Sequence, residues 1–142
     1  MPTLDKTITR LNHLLMASHD ASLSYRRLAG ATDNPEQKQL FSEREQQCST
    51  LMDCLHTQIL TYGGRPAEHP SMPGMLRHAW NSWIASRLSE RARLRAALRA
   101  ERQMRHSFEQ ALAEQLSPQF RQQLQEHNNC SIELEARIRA QL

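Results

Sequence analysis

Apolar residues recur at three- and four-residue intervals along four long stretches of the chain, which is the spacing of one face of an α-helix. The first stretch carries Leu4, Ile8, Leu11, Leu15, Tyr25 and Ala29, and the second carries Phe41, Cys48, Leu51, Leu55, Ile59 and Tyr62. The third carries Leu94, Leu98, Phe108 and Leu112, and the fourth carries Phe120, Leu124, Leu134 and Ile138. The pattern therefore predicts an all-α protein with four long helices.

Start and stop signals predict where these helices begin and end. Asn34-Pro35-Glu36-Gln37 supplies an N-cap, a proline at the first helical position and a glutamine at the capping-box position, and Ser117-Pro118 repeats the first two signals. Gly30 and Gly63-Gly64 are expected to close the first and second helices. Short connections then make two antiparallel hairpins. The predicted helices are 3–29, 35–62, 88–116 and 118–141.

One long interruption, from Gly63 to Ile84, separates the two hairpins and contains six glycines and prolines, which do not continue a regular helix. Within this interruption, apolar residues again recur at helical spacing, which predicts a short amphipathic helix at 72–85. Its Trp80 and Trp83 are expected to pack on one end or flank of the bundle, the alternative being a docking patch for a partner. Two hairpins joined by one long crossover have the ferritin-like connectivity. The predicted fold is thus a ferritin-like four-helix bundle, in one domain spanning 1–142.

Size and composition narrow the class of protein. A chain of 142 residues can bury a core without disulfides, and its three cysteines show no Cys-x-x-Cys spacing, which suits reduced thiols. No apolar run approaches the roughly 20 residues of a membrane span, and the N-terminus lacks the pattern of a signal peptide. We therefore expect a cytoplasmic protein that does not insert into a membrane.

A ferritin-like di-metal centre needs one inward glutamate from each of two helices and a Glu-x-x-His pair from each of the other two. No Glu-x-x-His occurs in the sequence, and the nearest approximations are Glu45-x-x-Cys48 and Asp53-x-x-His56. The helical faces instead predict a polar layer at mid-bundle. Its members are Ser18, Ser22, Arg44, Cys48, Glu101, Arg105, His127 and Ser131.

Within this layer, Glu101 and His127 replace apolar residues at the centre of their stripes, where an unpaired charge is unfavourable. The leading interpretation is a structural network in which Glu101 pairs with Arg105 and His127 bonds to a neighbouring helix. The alternative is a degenerate metal site formed by Glu101, His127 and Cys48, with Glu45 at its flank. The first interpretation needs no cofactor, whereas the second involves iron or another divalent metal.

Arginines crowd the third helix, and four of them, Arg91, Arg95, Arg99 and Arg102, form a stripe beside its core face. Such a stripe could bind an anion, including the phosphates of a nucleic acid. The leading interpretation is a solvated or intersubunit face. A formal charge of only +3 and the lack of interleaved aromatic residues disfavour a nucleic-acid partner.

Several segments together resemble a bacterial ferritin-like four-helix-bundle family of unknown function. They are Leu11-Asn12 with Leu14, Leu40-Phe41, Gly63-Gly64-Arg65-Pro66, the run from Ser71 to Trp80, Glu101, and Arg137-Ile138-Arg139-Ala140. The resemblance implies a ferritin-like fold and a link to metal handling or stress. From the residues, the expected function is a non-catalytic binding or scaffold protein that forms a homodimer or binds a protein partner. The alternative is a metal-binding or di-iron redox protein of the rubrerythrin and ferritin type.

Overall fold

The structure, a computed structural model, describes residues 2–68 and 88–142. Four helices account for most of these residues, and no strand occurs among them, so the predicted all-α class is confirmed. The helix predicted at 72–85, with Trp80 and Trp83, lies outside the described residues. The helices are α1 Pro2–Ala31, α2 Pro35–Thr61, α3 Glu90–Leu112 and α4 Pro118–Gln141.

The turn between α1 and α2 is organised by Thr32 rather than by a glycine. Helix α1 continues through Gly30, so the predicted closure at that glycine is wrong. The buried Thr32 hydroxyl donates to Gln37 Oε1 at 3.1 Å and accepts the backbone N–H of Asn34 at 3.2 Å. Because that N–H is already bonded, Gln37 does not complete the predicted capping box. The Asn34 side chain itself caps α2 as predicted, accepting the N–H groups of Glu36 and Gln37.

The end of α2 is closed by two glycines, as the sequence predicts. Gly63 has a φ of +82°, and its N–H bonds to the Leu60 carbonyl at 3.0 Å. The N–H of Gly64 bonds to the Ile59 carbonyl at 2.9 Å, which completes a Schellman motif. A Cβ atom on Gly64 would stand 2.7 Å from Ile8 Cγ2. The first glycine is therefore needed for its backbone conformation, and the second for the close approach of α1.

Two alanine substitutions should have opposite effects on stability. Gly63→Ala is expected to lower the free energy of unfolding by about 1 kcal/mol, because a side chain is strained at positive φ. Gly30→Ala should raise it by about 0.5–1 kcal/mol, because Gly30 lies within α1 and nothing is within 4 Å of the added Cβ. Urea denaturation followed by circular dichroism measures both changes. Equal shifts of the same sign would contradict the different roles assigned to these glycines.

Helix α3 ends at Leu112, four residues before the predicted end at residue 116. The guanidinium of Arg121, from α4, donates to the carbonyl oxygens of Leu112 at 2.6 Å and Glu114 at 2.5 Å. The largely buried Glu114 carboxylate lies 3.6 Å from Lys6 Nζ and 3.8 Å from Arg10 Nε of α1. These tertiary contacts satisfy the end of the helix in place of another turn, which is why the local sequence pattern overestimates its length.

Contacts between the helices give their directions. Arg26 near the end of α1 pairs with Glu45 in the first half of α2, and the two helices are joined by a short turn, so they are antiparallel. Arg10 near the start of α1 faces Glu114 beyond the end of α3, which makes these two helices antiparallel as well. Arg121 near the start of α4 reaches the end of α3. Helices α2 and α3 therefore run in the same direction.

The apolar stripes of all four helices meet in one core. Its largest fully buried side chains include Tyr25, Phe41, Phe108 and Phe120. Among the described residues, no helix is long and apolar enough to cross a membrane. The core is interrupted at mid-bundle by buried polar side chains, and these form the candidate site.

Candidate functional site

Each of the four helices contributes one polar side chain to a cluster in the bundle interior. The members of this Glu101 cluster are Tyr25 of α1, Arg44 of α2, Glu101 of α3 and Ser131 of α4. Glu101 and Ser131 are fully buried, and Arg44 is only 3% exposed. Arg44, Glu101 and Ser131 belong to the polar layer predicted from the sequence, whereas Tyr25 does not.

The Glu101 carboxylate accepts four hydrogen bonds. Arg44 binds the carboxylate through two guanidinium nitrogens, from Nε to Oε2 at 3.0 Å and from Nη2 to Oε1 at 2.9 Å. Ser131 Oγ donates to Oε1 at 2.7 Å, and the Tyr25 hydroxyl donates to Oε2. Arg44 Nη1 is in turn bonded to Gln47 Oε1 at 2.9 Å. A buried ion pair stabilises a fold only when its remaining hydrogen bonds are made, and here they are.

The charges of the cluster are fixed at neutral pH. Burial raises the pKa of Tyr25 well above its usual value, and the adjacent Glu101 charge raises it further, so the hydroxyl stays protonated and donates. Burial alone would lower the pKa of Arg44, but Glu101 outweighs it and the pKa is raised. Arg44 is therefore a permanent cation in the interior, held by the carboxylate.

The partners predicted for Glu101 and His127 are wrong. Arg105 lies at the flank of α3 and binds Glu135 of α4 at 2.5 Å, leaving Glu101 to Arg44 from the opposite hairpin. Within the described ranges, His127 makes no hydrogen bond to a neighbouring helix. Burial lowers the pKa of His127, as does the nearby charge of Arg44, so its imidazole is neutral at physiological pH.

Two of the four candidate metal ligands are bound to arginines in the structure. Glu101 is occupied by the cluster, and Glu45 pairs with Arg26 at 2.9 Å, with its side chain 24% exposed. Cys48 is fully buried, and burial raises the pKa of its thiol to about 12, so the thiol is protonated at neutral pH. In residues 2–68 and 88–142, no group of three His, Cys, Asp or Glu side chains could hold a metal ion. The described residues thus do not fit a ferritin-like metal centre.

A second carboxylate, that of Glu135 of α4, forms ion pairs with three arginines at the edge of the core. Its side chain is 7% exposed and binds Arg139 at 2.8 Å and Arg105 at 2.5 Å, with Arg102 at 4.0 Å. The hydrogen bond from Arg139 holds the pKa of Glu135 below its usual value, assisted by Arg105 and opposed by burial. The sequence carried one signal for this group, because Glu135 and Arg139 are four residues apart on one helix.

Protonation of Glu135 should make stability depend on pH in the acid range. A carboxylate with a lowered folded-state pKa stabilises the fold above its unfolded pKa, and that contribution is lost as the pH falls through the folded-state pKa. Glu135→Gln is thus expected to lower the free energy of unfolding at pH 7 and to flatten its decline below about pH 5. Urea denaturation between pH 3 and 7 measures this, with the exposed Glu133→Gln as control. Parallel curves for wild type and Glu135→Gln would contradict the assignment.

All four members of the predicted arginine stripe are exposed on α3. Arg91 donates to the backbone carbonyl of Leu142 at 2.8 Å, and Arg102 is the outermost partner of Glu135. Arg95 and Arg99 form no ion pair with any part of the chain that the structure describes. Among the described residues, a glutamate therefore reaches the stripe only at its Arg102 end.

Two further polar residues were missed by the sequence analysis. The ring of Tyr25 fits the apolar stripe of α1, and nothing in the pattern reveals that its hydroxyl binds Glu101. Arg93 is buried and donates to the Leu88 carbonyl at 2.5 Å, while its Nε has no hydrogen-bond partner among the described residues. A charged residue on an otherwise apolar face was the available signal for Arg93, but it does not identify a partner.

Comparison with known proteins gives a family and no activity. Residues 6–114 match the sequence profile of a domain of unknown function, DUF2383. No curated protein matches the chain. The matched range contains Tyr25, Arg44 and Glu101, whereas Ser131 and Glu135 lie beyond it. Because the match covers more than half of the sequence, the chain belongs to the DUF2383 family.

Proposed function

We propose that this chain is a non-catalytic, cytoplasmic binding protein whose helical bundle has an ion pair at the position where a ferritin-like protein holds metal. The observation that carries the proposal is the complete hydrogen bonding of the Glu101 carboxylate by Arg44, Tyr25 and Ser131. A metal ligand must offer a free lone pair. The fixed positive charge of Arg44 also disfavours the binding of a second cation beside it. The buried Glu101 cluster then stabilises the fold, and we assign the binding role to the protein surface.

The ferritin-like connectivity is part of the same proposal. It is supported by the parallel directions of α2 and α3, since a chain that leaves the end of α2 must return along the bundle to begin α3 in that direction. Helix α2 has 27 residues, which corresponds to about 40 Å. The connection at 62–89 is long enough to span that distance. The alternative function, iron handling or di-iron redox chemistry linked to stress, uses the same connectivity with a different interior.

Elemental analysis separates the two functions. Protein purified without an affinity tag is expected to contain no stoichiometric iron, zinc, manganese or copper, both as wild type and as Glu101→Gln. Urea unfolding should also be unchanged by a chelator, because no metal contributes to folding. The exposed Glu133→Gln variant is the matched control. One or two ions per chain in wild type and Glu133→Gln, lost in Glu101→Gln, would replace our proposal with the metal-binding function.

Self-association is the quaternary step that we propose for such a protein. Large apolar side chains remain exposed on three of the helices, with Leu60 at 54%, Ile132 at 42% and Leu4 at 40%. A homodimer would cover part of this apolar surface. Sedimentation velocity over a range of concentrations tests it, and a single monomeric species at every concentration would rule it out.

A further inference from the structure

The surface of α3 carries a row of cations, and the two at its centre, Arg95 and Arg99, form no ion pair with the described residues. We define the arginine face as Arg91, Arg95, Arg99 and Arg102, whose spacings of four, four and three residues place them on one side of the helix. The row extends about 16 Å along the helix axis. From its chemistry we infer that the arginine face docks an acidic segment of a partner protein, an inference that rests on the proposed surface-binding role.

Few carboxylates are positioned to neutralise the arginine face. All 15 Asp and Glu side chains of the sequence lie within residues 2–68 and 88–142, since the stretch 69–87 contains none. The chain therefore has no acidic side chain outside the described residues to pair with the arginine face. Among the described residues one ion pair reaches the row, from Glu135 to Arg102 at 4.0 Å, and Glu135 already binds Arg105 and Arg139. Asp20 of α1 lines the same surface pocket as Arg99.

Three arginines of the first two helices lie beside carboxylates, unlike the centre of the arginine face. Arg44 and Arg26 each bind a glutamate at 2.9 Å, and Arg10 lies 3.8 Å from Glu114. The fold thus places a carboxylate beside an arginine on each of its first two helices. Arg95 and Arg99, at the centre of the row, have no such partner in the described structure. Four like charges spaced one helical turn apart repel one another, and an anionic ligand relieves that repulsion.

The spacing and composition of the arginine face favour a polypeptide anion. Carboxylates four residues apart on a helix repeat at about 6 Å, which matches the spacing of the arginines along α3. Lys6 and Lys38 are the only lysines among the 18 Lys and Arg residues, and arginine is enriched while lysine is depleted at protein interfaces. No aromatic side chain lies within the row to stack on bases, and the formal charge is only +3. These features favour an acidic polypeptide over a nucleic acid.

The test is a binding titration with a defined probe. A short fluorescein-labelled polyglutamate peptide is titrated with the full chain at low salt, with fluorescence anisotropy as the readout. Arg95→Gln/Arg99→Gln is expected to weaken binding roughly tenfold. Lys38→Gln/Arg137→Gln is the matched control, because it also removes two exposed cations, and it should change the affinity less than about twofold. Circular dichroism verifies that both variants are folded.

Three results would overturn the inference. They are no binding of the peptide at low salt, an equal loss in the two double variants, or tighter binding of a DNA duplex than of the peptide under the same conditions. The last result would assign the arginine face to phosphates instead. Metal analysis tests the proposed function separately, since stoichiometric metal at Glu101 would remove that function without changing the peptide titration. A failed titration with metal-free protein would remove only this inference.

Discussion

Arg44→Met is expected to lower the free energy of unfolding by about 3–5 kcal/mol, because it leaves the fully buried Glu101 carboxylate without its counter-charge. Tyr25 and Ser131 would still donate hydrogen bonds, but two neutral donors do not offset the loss of solvation of a buried anion. Urea denaturation followed by circular dichroism measures the change. The methionine side chain fills a similar apolar volume, so the measured effect reports mainly on the charge.

Two further variants distinguish this explanation from a general loss of packing. Arg26→Met removes a surface ion pair, with a side chain 71% exposed, and should change stability by less than about 1 kcal/mol. Arg44→Met/Glu101→Leu removes both charges and should be more stable than Arg44→Met alone. If the double variant loses as much stability as the two single variants added together, the ion pair is not the source of the effect.

The helical pattern was sufficient to predict a polar layer but insufficient to predict its pairs. Periodicity identifies inward residues on each helix separately, which is why Arg44, Glu101 and Ser131 were all placed in the layer. Pairing depends on the axial register between helices, and no local signal encodes it. Arg105 was assigned to Glu101 because one-turn neighbours on the same helix are the only contacts a single sequence gives directly. In the structure a longer-range partner from α2 replaces it.

The helix ends show the same division between local and tertiary information. Asn34 and Ser117 cap their helices as predicted, because a cap uses atoms only a few residues away. The end of α3 was misplaced because the Arg121 side chain, from the next helix, satisfies the carbonyl groups of Leu112 and Glu114. Gly30 does not close α1, because an exposed glycine can remain within a helix when the following residues stabilise the turn.

The interior and the surface of this bundle use arginine in opposite ways. Arg44 is buried, is hydrogen-bonded to Glu101 through Nε and Nη2, and cannot reach a ligand in solvent. Its contribution is therefore to the stability of the fold. Arg95 and Arg99 are exposed and have no anionic partner among the described residues, so their contribution to the folded chain alone is small or unfavourable. The two central arginines therefore carry the docking role that we infer for the arginine face.

Phe41→Ala is expected to lower the free energy of unfolding by about 3–5 kcal/mol, because the Phe41 ring is fully buried next to the Glu101 cluster. Its centroid lies 6.1 Å from that of Tyr25, with the planes inclined by 40°, so the substitution also removes an aromatic contact that holds the tyrosine in place. Phe41→Leu keeps most of the volume and should lose less.

Phe120→Ala is the matched control for this second substitution, since that ring is also buried, but no ring contact or hydrogen bond links its side chain to the cluster. Both alanine variants are compared by urea denaturation, alone and combined with Arg44→Met. Phe41→Ala should be non-additive with Arg44→Met, because a cavity beside Tyr25 admits water that partly solvates the unpaired carboxylate. Phe120→Ala should be additive. Additive changes for both would show that the aromatic pair and the ion pair stabilise the bundle independently, contrary to the coupling that their contacts predict.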